Sequence, residues 1–409
     1  MNKSSTHNSQ IVIVGGGMVG AASACGLADL GLGVTLIEHN RPDFNWPQEE
    51  IDLRVSAINK ASRHLLENLG AWQLISARDA VAYREMRVWD NLSSEIHFDS
   101  ADIGEPDLGH ILQNRVIQRA LWQAMEQRPG ITILSPRSAR ELQQSAEKIT
   151  LLLDDDTSLD TELLVAADGA RSRIRDWLGI GFSEFDFQQT AVVTTVRLAQ
   201  GHAETAWQRF LPEGPLAFLP ISTDQCSIVW STTADIAEKL VEMDDAAFCD
   251  ALYEAVEGRL GEITETSQRA RYPLRSIHAE RYISSHAALV GDAAHQIHPL
   301  AGQGVNLGFR DAGALIDAVG SQLKRGRPIS NQQGLRAYER TRRGDNLLMQ
   351  KSMEGFNHLF SNDNSLLKLL RNGGLSATQR LPLIKQGFMQ HALGTSGEIP
   401  SLCRRVASR

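Results

Sequence analysis

Three stretches of this 409-residue chain have residue types and spacings suited to chemistry: Gly15-x-Gly17-x-x-Gly20, Ala167-Asp168-Gly169 and Gly291-Asp292. A glycine turn that opens a helix offers backbone N–H groups to an anion with no side chain in the way. In the first stretch Gly15 permits the tight turn, Gly17 lets the backbone approach a pyrophosphate, and Gly20 lets helix and strand pack closely. Glu38, 18 residues beyond Gly20, is placed to accept hydrogen bonds from a ribose diol. Asp292 offers a second carboxylate for a sugar hydroxyl, and Pro299, Gly302 and Gly304 punctuate the turn that follows it. Asp168-Gly169 repeats the pattern of acid and glycine at a strand end, although a lone Asp-Gly is also an ordinary β-turn. No nucleophile–base pair and no metal-ligand set stands beside these stretches. The pattern points to binding of an ADP-containing cofactor that brings its own chemistry.

These residues need strands that end at them and helices that begin after them. Ile11–Val14, Val34–Ile37, Glu162–Ala166 and Ala287–Val290 are short apolar runs that fit buried strands. Phe309, Ala312, Ile316, Val319 and Leu323 recur at helical spacing after the third stretch. Arg54–Asn59 reads as the opening of an amphipathic helix that contains Leu65, Leu66 and Leu69, and another helix follows the segment G-H-I-L-Q-N. From Phe182 to Tyr282 alternating runs such as Ala191–Leu198 and Cys226–Ser231 predict a largely antiparallel sheet inserted before the cofactor domain resumes.

Composition bounds the rest. A net charge of −8 argues against nucleic acid as a general partner, and 42% hydrophobic with 22% charged residues is ordinary for a globular protein. Cys25, Cys226, Cys249 and Cys403 are far apart, as incidental reduced thiols in a cytosolic protein would be. Ile11–Ala28 is 18 residues long without a charge, the length of a membrane span, but five glycines in a phosphate-binding pattern favour the soluble reading. Charge is uneven: residues 335–409 carry +7, leaving −15 on the preceding chain. With leucines such as Leu366, Leu367, Leu369 and Leu370 among its basic residues, that segment suits docking on an anionic bilayer or an acidic partner. A helix covering its own core satisfies the same pattern.

The three stretches, in this order, resemble the FAD-dependent aromatic hydroxylases of the para-hydroxybenzoate hydroxylase type over roughly residues 10–345. R-V-S-A-I-N at 54–59, L-G-H-I-L-Q-N at 108–114, C-S-I-V-W-S at 226–231 and H-P-L-A-G-Q-G-V-N-L-G-F at 298–309 are similar to the ubiquinone-biosynthesis hydroxylases. The likeness runs toward the bacterial 2-polyprenylphenol hydroxylase branch, including Gly394 and Pro400 near the end. The resemblance implies an α/β fold: a Rossmann-like FAD-binding domain (1–180 and 285–345, with some substrate-domain strands near 75–110). Into it is inserted a mainly antiparallel substrate domain (181–284), and a helical C-terminal region (346–409) follows.

It also implies residue roles. Gly15, Gly17 and Gly20 take the pyrophosphate and Glu38 the AMP ribose, while Arg54 and Gln113 lie along the diphosphate and ribityl chain. Asp168 and Gly169 serve both FAD and the pyridine nucleotide. Gly291 and Asp292 bind the ribityl side, and Pro299, Gly302, Gly304 and Asn306 lie in the turn against the isoalloxazine. His295 and His298 are candidates for tuning proton transfer, or else bond the loop. The implied reaction is hydroxylation of a polyprenylated phenol at ring C5 through a C4a-hydroperoxyflavin, using O₂ and NAD(P)H or a reductase. Because one dinucleotide pattern is present, NAD(P)H is expected to bind transiently. The alternatives are C6 or C1 of a later quinone precursor, an FAD dehydrogenase or oxidase, and a non-catalytic flavoprotein subunit. A cytoplasmic protein is expected, touching the inner membrane or a biosynthetic complex through its tail.

Overall fold

The computed structural model describes residues 6–47, 50–90, 95–298, 304–360, 390 and 393–405. Pro299, Gly302 and the Leu366–Leu370 cluster lie outside these residues.

Four parallel strands organise the first layer. Thr6–Val14 lies between Val34–Ile37 and Ser158–Ala166, and Ala287–Leu289 pairs with the far side of Ser158–Ala166. Ile131–Leu134 extends the sheet beyond Val34–Ile37, also in parallel. The register aligns Val14 with Ala166 and with Ile37, and Ala166 with Leu289. Gly15, Glu38, Ala167 and Val290 therefore leave the sheet side by side at its carboxyl edge. Ligands of open α/β sheets bind at that edge. Helices Met18–Ala28, Asn114–Glu126 and Gly304–Lys324 pack on the layer through Ala21, Leu27, Trp122, Phe309 and Val319, all buried. Four of the five residues expected on the apolar face of Gly304–Lys324 are buried, whereas Leu323, at its last turn, is 36% exposed.

The second sheet is mainly antiparallel. Phe182–Leu198, Gln225–Thr232, Gly214–Pro220 and Thr205–Leu211 lie in that spatial order, with Ala270–Ala279 on the other side of Phe182–Leu198. Glu85–Trp89 joins it in parallel to Thr205–Leu211, and Glu95–Asp99 completes the edge. Two segments far apart in sequence thus build one sheet. Helices Ala234–Glu242 and Asp245–Ala255 lie against it. His295-Gln296, only a few residues beyond Leu289, pairs with Ala270–Ala279 on this sheet. The Gly291-Asp292 turn is the bridge between the two sheets.

A third, small sheet corrects one expectation. Val55–Ile58 does not open a helix but forms a strand paired with Gly109–Gln113, which also pairs with Val81–Tyr83. The helix begins at Lys60, where Asn59 Oδ1 accepts the N–H of Ser62 as a side-chain cap. β-branched Val55 and Ile58 suit the strand, and the cap residue marks where the chain changes state.

The C-terminal segment is continuous with the core. Helix Gln332–Phe360 runs unbroken through position 346, and Arg342, Asn346 and Gln350 are 0%, 0% and 3% exposed. Further on, Ser401–Cys403 returns to the first layer: Asn68 Nδ2 donates to Leu402 O at 2.7 Å, and Cys403 is buried in the main core. A cut after Arg343 would remove core side chains. Along the described part of this segment, covering the core is the role the structure shows. All four cysteines are unpaired and buried. Among the described residues no helix is long and apolar enough to cross a membrane; Ile11–Ala28 is divided between a strand, a turn and a helix.

Candidate active site

At the carboxyl edge the glycines divide by what a side chain would meet. Gly15 has φ +108°, and a Cβ there would overlap the carbonyl oxygen of Ala167. A Cβ on Gly20 would overlap the carbonyl oxygen of Gly15. These two are needed by the fold itself. Gly17 is different: it is the N-cap of Met18–Ala28 with φ −65°, and a Cβ there would meet nothing within 4 Å. Neither strain nor packing requires glycine at this position, so the open space above it fits a cofactor phosphate approaching the first turn. Gly304, at the start of Gly304–Lys324, likewise faces open space.

The turn is fixed from both sides. Gly16 N–H donates to Glu38 Oε2 at 2.6 Å, and Gly16 O accepts from Trp122 Nε1 at 2.8 Å and Gln118 Nε2 at 3.0 Å. Glu38 Oε1 accepts the N–H of Asn40 at 3.0 Å. His39 Nδ1 also lies 2.7 Å from Glu38 Oε1. A carboxylate accepts about four hydrogen bonds, so Glu38 keeps about one position for a sugar hydroxyl while it shapes the turn.

Val19, inside the first glycine pattern, lies against both Gly291 and Gly308, where any Cβ would press on its side chain. The first and third stretches therefore touch. The second is tied in by Arg175, buried at 2% exposure, which donates to Ala170 O and Ala293 O, each at 3.1 Å. Sequence reasoning missed Arg175, because one arginine among several near Asp168 carries no signal of burial. Asp168 closes its own loop: its carboxylate accepts Ser172 Oγ at 2.5 Å and the N–H of Ile174 at 3.1 Å. Burial raises its pKa against these bonds. Gly169 has φ +83° in the same loop.

Asp292 faces open space at this edge, yet protein surrounds it closely enough that desolvation raises its pKa, with the charges of His295 and Arg54 opposing. Arg54 is exposed beside it. Gln113 Oε1 accepts the N–H of Asp52 at 2.8 Å and Arg115 Nε at 3.0 Å, anchoring the strand end that carries Arg54. Asn306 donates to Ala57 O at 2.8 Å and accepts the N–H of Asn59 at 3.2 Å, locking the glycine-led helix to the small sheet. Asp292, Arg54 and Gly304 thus face the open edge with Asn306 buried behind them, whereas the Asp168 carboxylate is turned into its own loop.

Behind the Gly291 turn lies a buried charged cluster. Asp311, fully buried, accepts the N–H of Gly291 at 3.1 Å, Arg342 Nε at 2.9 Å and Asn346 Nδ2 at 3.0 Å; His295 Nε2 lies 2.5 Å from its Oδ2. Burial alone would raise the Asp311 carboxyl, but His295 and Arg342 together hold it down to about 2. His295 Nε2 is thereby engaged by the Asp311 carboxylate.

His298 is buried against the edge of Phe187, with Nε2 3.3 Å from Gln189 Oε1, and burial pushes its pKa down to about 4. Burial, helped by the charges of His295 and Arg343, also pushes His278 down to about 4. Both histidines are neutral in the folded protein at neutral pH. An unfolded histidine binds its proton near pH 6.5, so between about 6.5 and 4 the unfolded chain binds more protons and stability falls as pH falls. The urea midpoint is expected to drop steadily from pH 7 to 4.5, and replacing His298 with Asn should flatten that slope.

Glu85, His97 and Asp99 approach one another on the Glu85–Trp89 and Glu95–Asp99 hairpin. There Glu85 Oε2 is already taken by His97 at 2.8 Å and Arg87 at 3.3 Å.

Comparison with known proteins agrees with this geometry. The family described as FAD binding domain matches residues 8–347. The 3-demethoxyubiquinol 3-hydroxylase of Escherichia coli is 38% identical, over 94% of this chain and 98% of its own length. The ubiquinone hydroxylase UbiL of Rhodospirillum rubrum is 34% identical, over 97% and 92%. The human mitochondrial ubiquinone biosynthesis monooxygenase COQ6 is 33% identical, over 93% and 92%. Among solved structures, p-nitrophenol 4-monooxygenase PnpA from Pseudomonas putida superposes with TM-score 0.76 at 19% identity, covering 95% of this chain and 98% of that one. The chain belongs to the FAD binding domain family and is an FAD-dependent monooxygenase. Within that class it is one of the ubiquinone-biosynthesis hydroxylases. The fold by itself would not have decided this, since the Diels-Alderase PyrE3 shares it with TM-score 0.71 at 19% identity.

Proposed function

We propose that the enzyme adds a hydroxyl group to the ring of a polyprenylated quinol late in ubiquinone biosynthesis, at the position its Escherichia coli relative is named for. The observation that carries this reading is the 38% identity to a 3-demethoxyubiquinol 3-hydroxylase across nearly the whole of both chains. Hydroxylation of an earlier polyprenylphenol at ring C5, which the branch resemblance implies, is the second reading.

In either case the flavin, when bound, activates O₂ so that one oxygen atom enters the ring. The chain's own work is placement and electrostatics. Gly17 leaves the pyrophosphate its room and Glu38 takes the ribose. Asp292, on the Gly291 turn, and Arg54, just before Val55–Ile58, would hold the middle of the cofactor. The N-terminus of Gly304–Lys324 favours negative charge at the ring end, as helix N-termini do. NAD(P)H or a reductase supplies electrons without a second dinucleotide fold. Polyprenyl substrate arrives from a membrane or a carrier.

The test combines label and precursor. With ¹⁸O₂ and a reductant, the product should carry one ¹⁸O atom; an unlabelled product, or oxidation without oxygen insertion, rejects the monooxygenase step. Deleting the gene should cause 3-demethoxyubiquinol to accumulate, whereas accumulation of a polyprenylphenol selects the C5 reading.

A further inference from the structure

Gln208 lies in the middle of strand Thr205–Leu211, opposite Ala217, and is 6% exposed. Side chains alternate along a strand, so it shares a face with Ala206 and Phe210, both apolar. Among the described residues its side-chain amide has no hydrogen-bond partner. An amide buried in such a face without a partner is destabilising, so it marks a place where a ligand or water is expected.

The amide borders a cavity of about 10 Å³ between the small sheet and the second sheet. The wall is otherwise apolar, formed by Ala57, Ile111, Ala206 and Leu219, except for Tyr83. The Tyr83 hydroxyl also has no hydrogen-bond partner among the described residues. Burial, with Asp107 nearby, raises the phenol pKa, so Tyr83 stays an O–H donor at neutral pH. The space suits one water-sized group. An amide and a phenol in an apolar wall select a group that both donates and accepts: an oxygen. Ala57 connects this cavity to the cofactor edge, because its carbonyl is the one held by Asn306 at the start of the glycine-led helix.

We infer that Gln208 and Tyr83 seat a ring oxygen of the aromatic substrate in this cavity, and so decide which ring carbon is presented to the flavin. The inference rests on the ring-hydroxylase reading above. Both residues are specificity determinants in it, acting on the substrate oxygen and not on the oxygen being transferred.

The experiment uses the FAD-loaded enzyme and two probes, a phenol carrying one isoprene unit and the matching prenylbenzene without the hydroxyl. Binding is read from the change in flavin absorbance on titration, and hydroxylation is followed by product analysis. Wild type should bind the phenol about a hundredfold more tightly than the prenylbenzene, about tenfold for each of the two hydrogen bonds. Gln208→Met and the milder Tyr83→Phe should each cut that preference to about tenfold by weakening phenol binding about tenfold. Prenylbenzene binding and FAD content should stay unchanged, and the hydroxylated product should become a mixture of positions. Unchanged phenol binding in both variants would mean the cavity holds water only, and equal loss for both probes would mean a structural role; either overturns the inference. A wild-type enzyme that hydroxylates no prenylated ring defeats the function reading and this inference with it. A wild type that hydroxylates while the variants keep its preference defeats this inference alone.

Discussion

Gly17→Ala is expected to give a folded, colourless protein. The backbone at Gly17 has φ −65°, which alanine adopts freely, and the added methyl would meet nothing within 4 Å. As an N-cap, alanine costs up to about 1 kcal/mol relative to glycine, and a chain of this size tolerates that. The methyl does occupy the space where a pyrophosphate must approach the N–H groups of the first turn. FAD affinity should therefore fall by about two orders of magnitude, roughly 3 kcal/mol, with the urea midpoint of the cofactor-free protein nearly unchanged. Gly20→Ala should behave in the opposite way. Its methyl would overlap the Gly15 carbonyl whether or not cofactor is present, so overpacking of at least 1–3 kcal/mol falls on the fold itself. Measuring FAD stoichiometry and denaturation midpoint for both variants separates a glycine kept for a ligand from one kept for packing. A yellow Gly17→Ala protein with one FAD per chain would remove the pyrophosphate from this turn.

That contrast shows what the sequence could and could not tell. Gly15, Gly17 and Gly20 look identical in a motif, and only the neighbours in space divide them. The strands ending at Gly15, Glu38, Asp168 and Gly291 were legible because buried parallel strands are short apolar runs, and the glycines mark where each stops. Val55–Ile58 was misread because four apolar and small residues before a helix carry no period of their own. Arg342, Asn346 and Gln350 were hidden for another reason. In R-R-G-D-N the polar residues look like a solvated basic face, and nothing local reveals that Arg342 reaches Asp311, 31 residues earlier, inside the core. The same blindness left docking and core-covering indistinguishable along the segment 335–409. Its charge of +7 is real, yet part of it neutralises a buried carboxylate behind the cofactor turn.

Arg342→Met should be among the most destabilising single substitutions in the described part of the chain, at about 3–5 kcal/mol. Met fills much of the volume of the arginine stem, so the loss is electrical more than steric. Asp311 is left fully buried, facing His295 and Asn346 without its guanidinium. Because neither partner is exposed, the penalty should hardly change between low and high salt, unlike that of a surface pair. The pH dependence gives a second check. In wild type Asp311 titrates at about 2 against an unfolded value near 3.8, so its contribution is complete above 3.8 and is lost as pH falls through about 2. Without Arg342 the folded pKa rises, and the variant should instead gain relative stability as Asp311 is protonated, narrowing the gap to wild type in acid. Asp311→Asn keeps an acceptor for Gly291 N–H and removes the charge, so the double variant Asp311→Asn, Arg342→Met should be more stable than Arg342→Met alone. Since Gly291 hangs on the same carboxylate, FAD release from Arg342→Met should also quicken. A single variant within 1 kcal/mol of wild type, or a double variant no better than the single, would show that the buried pair does not hold this turn.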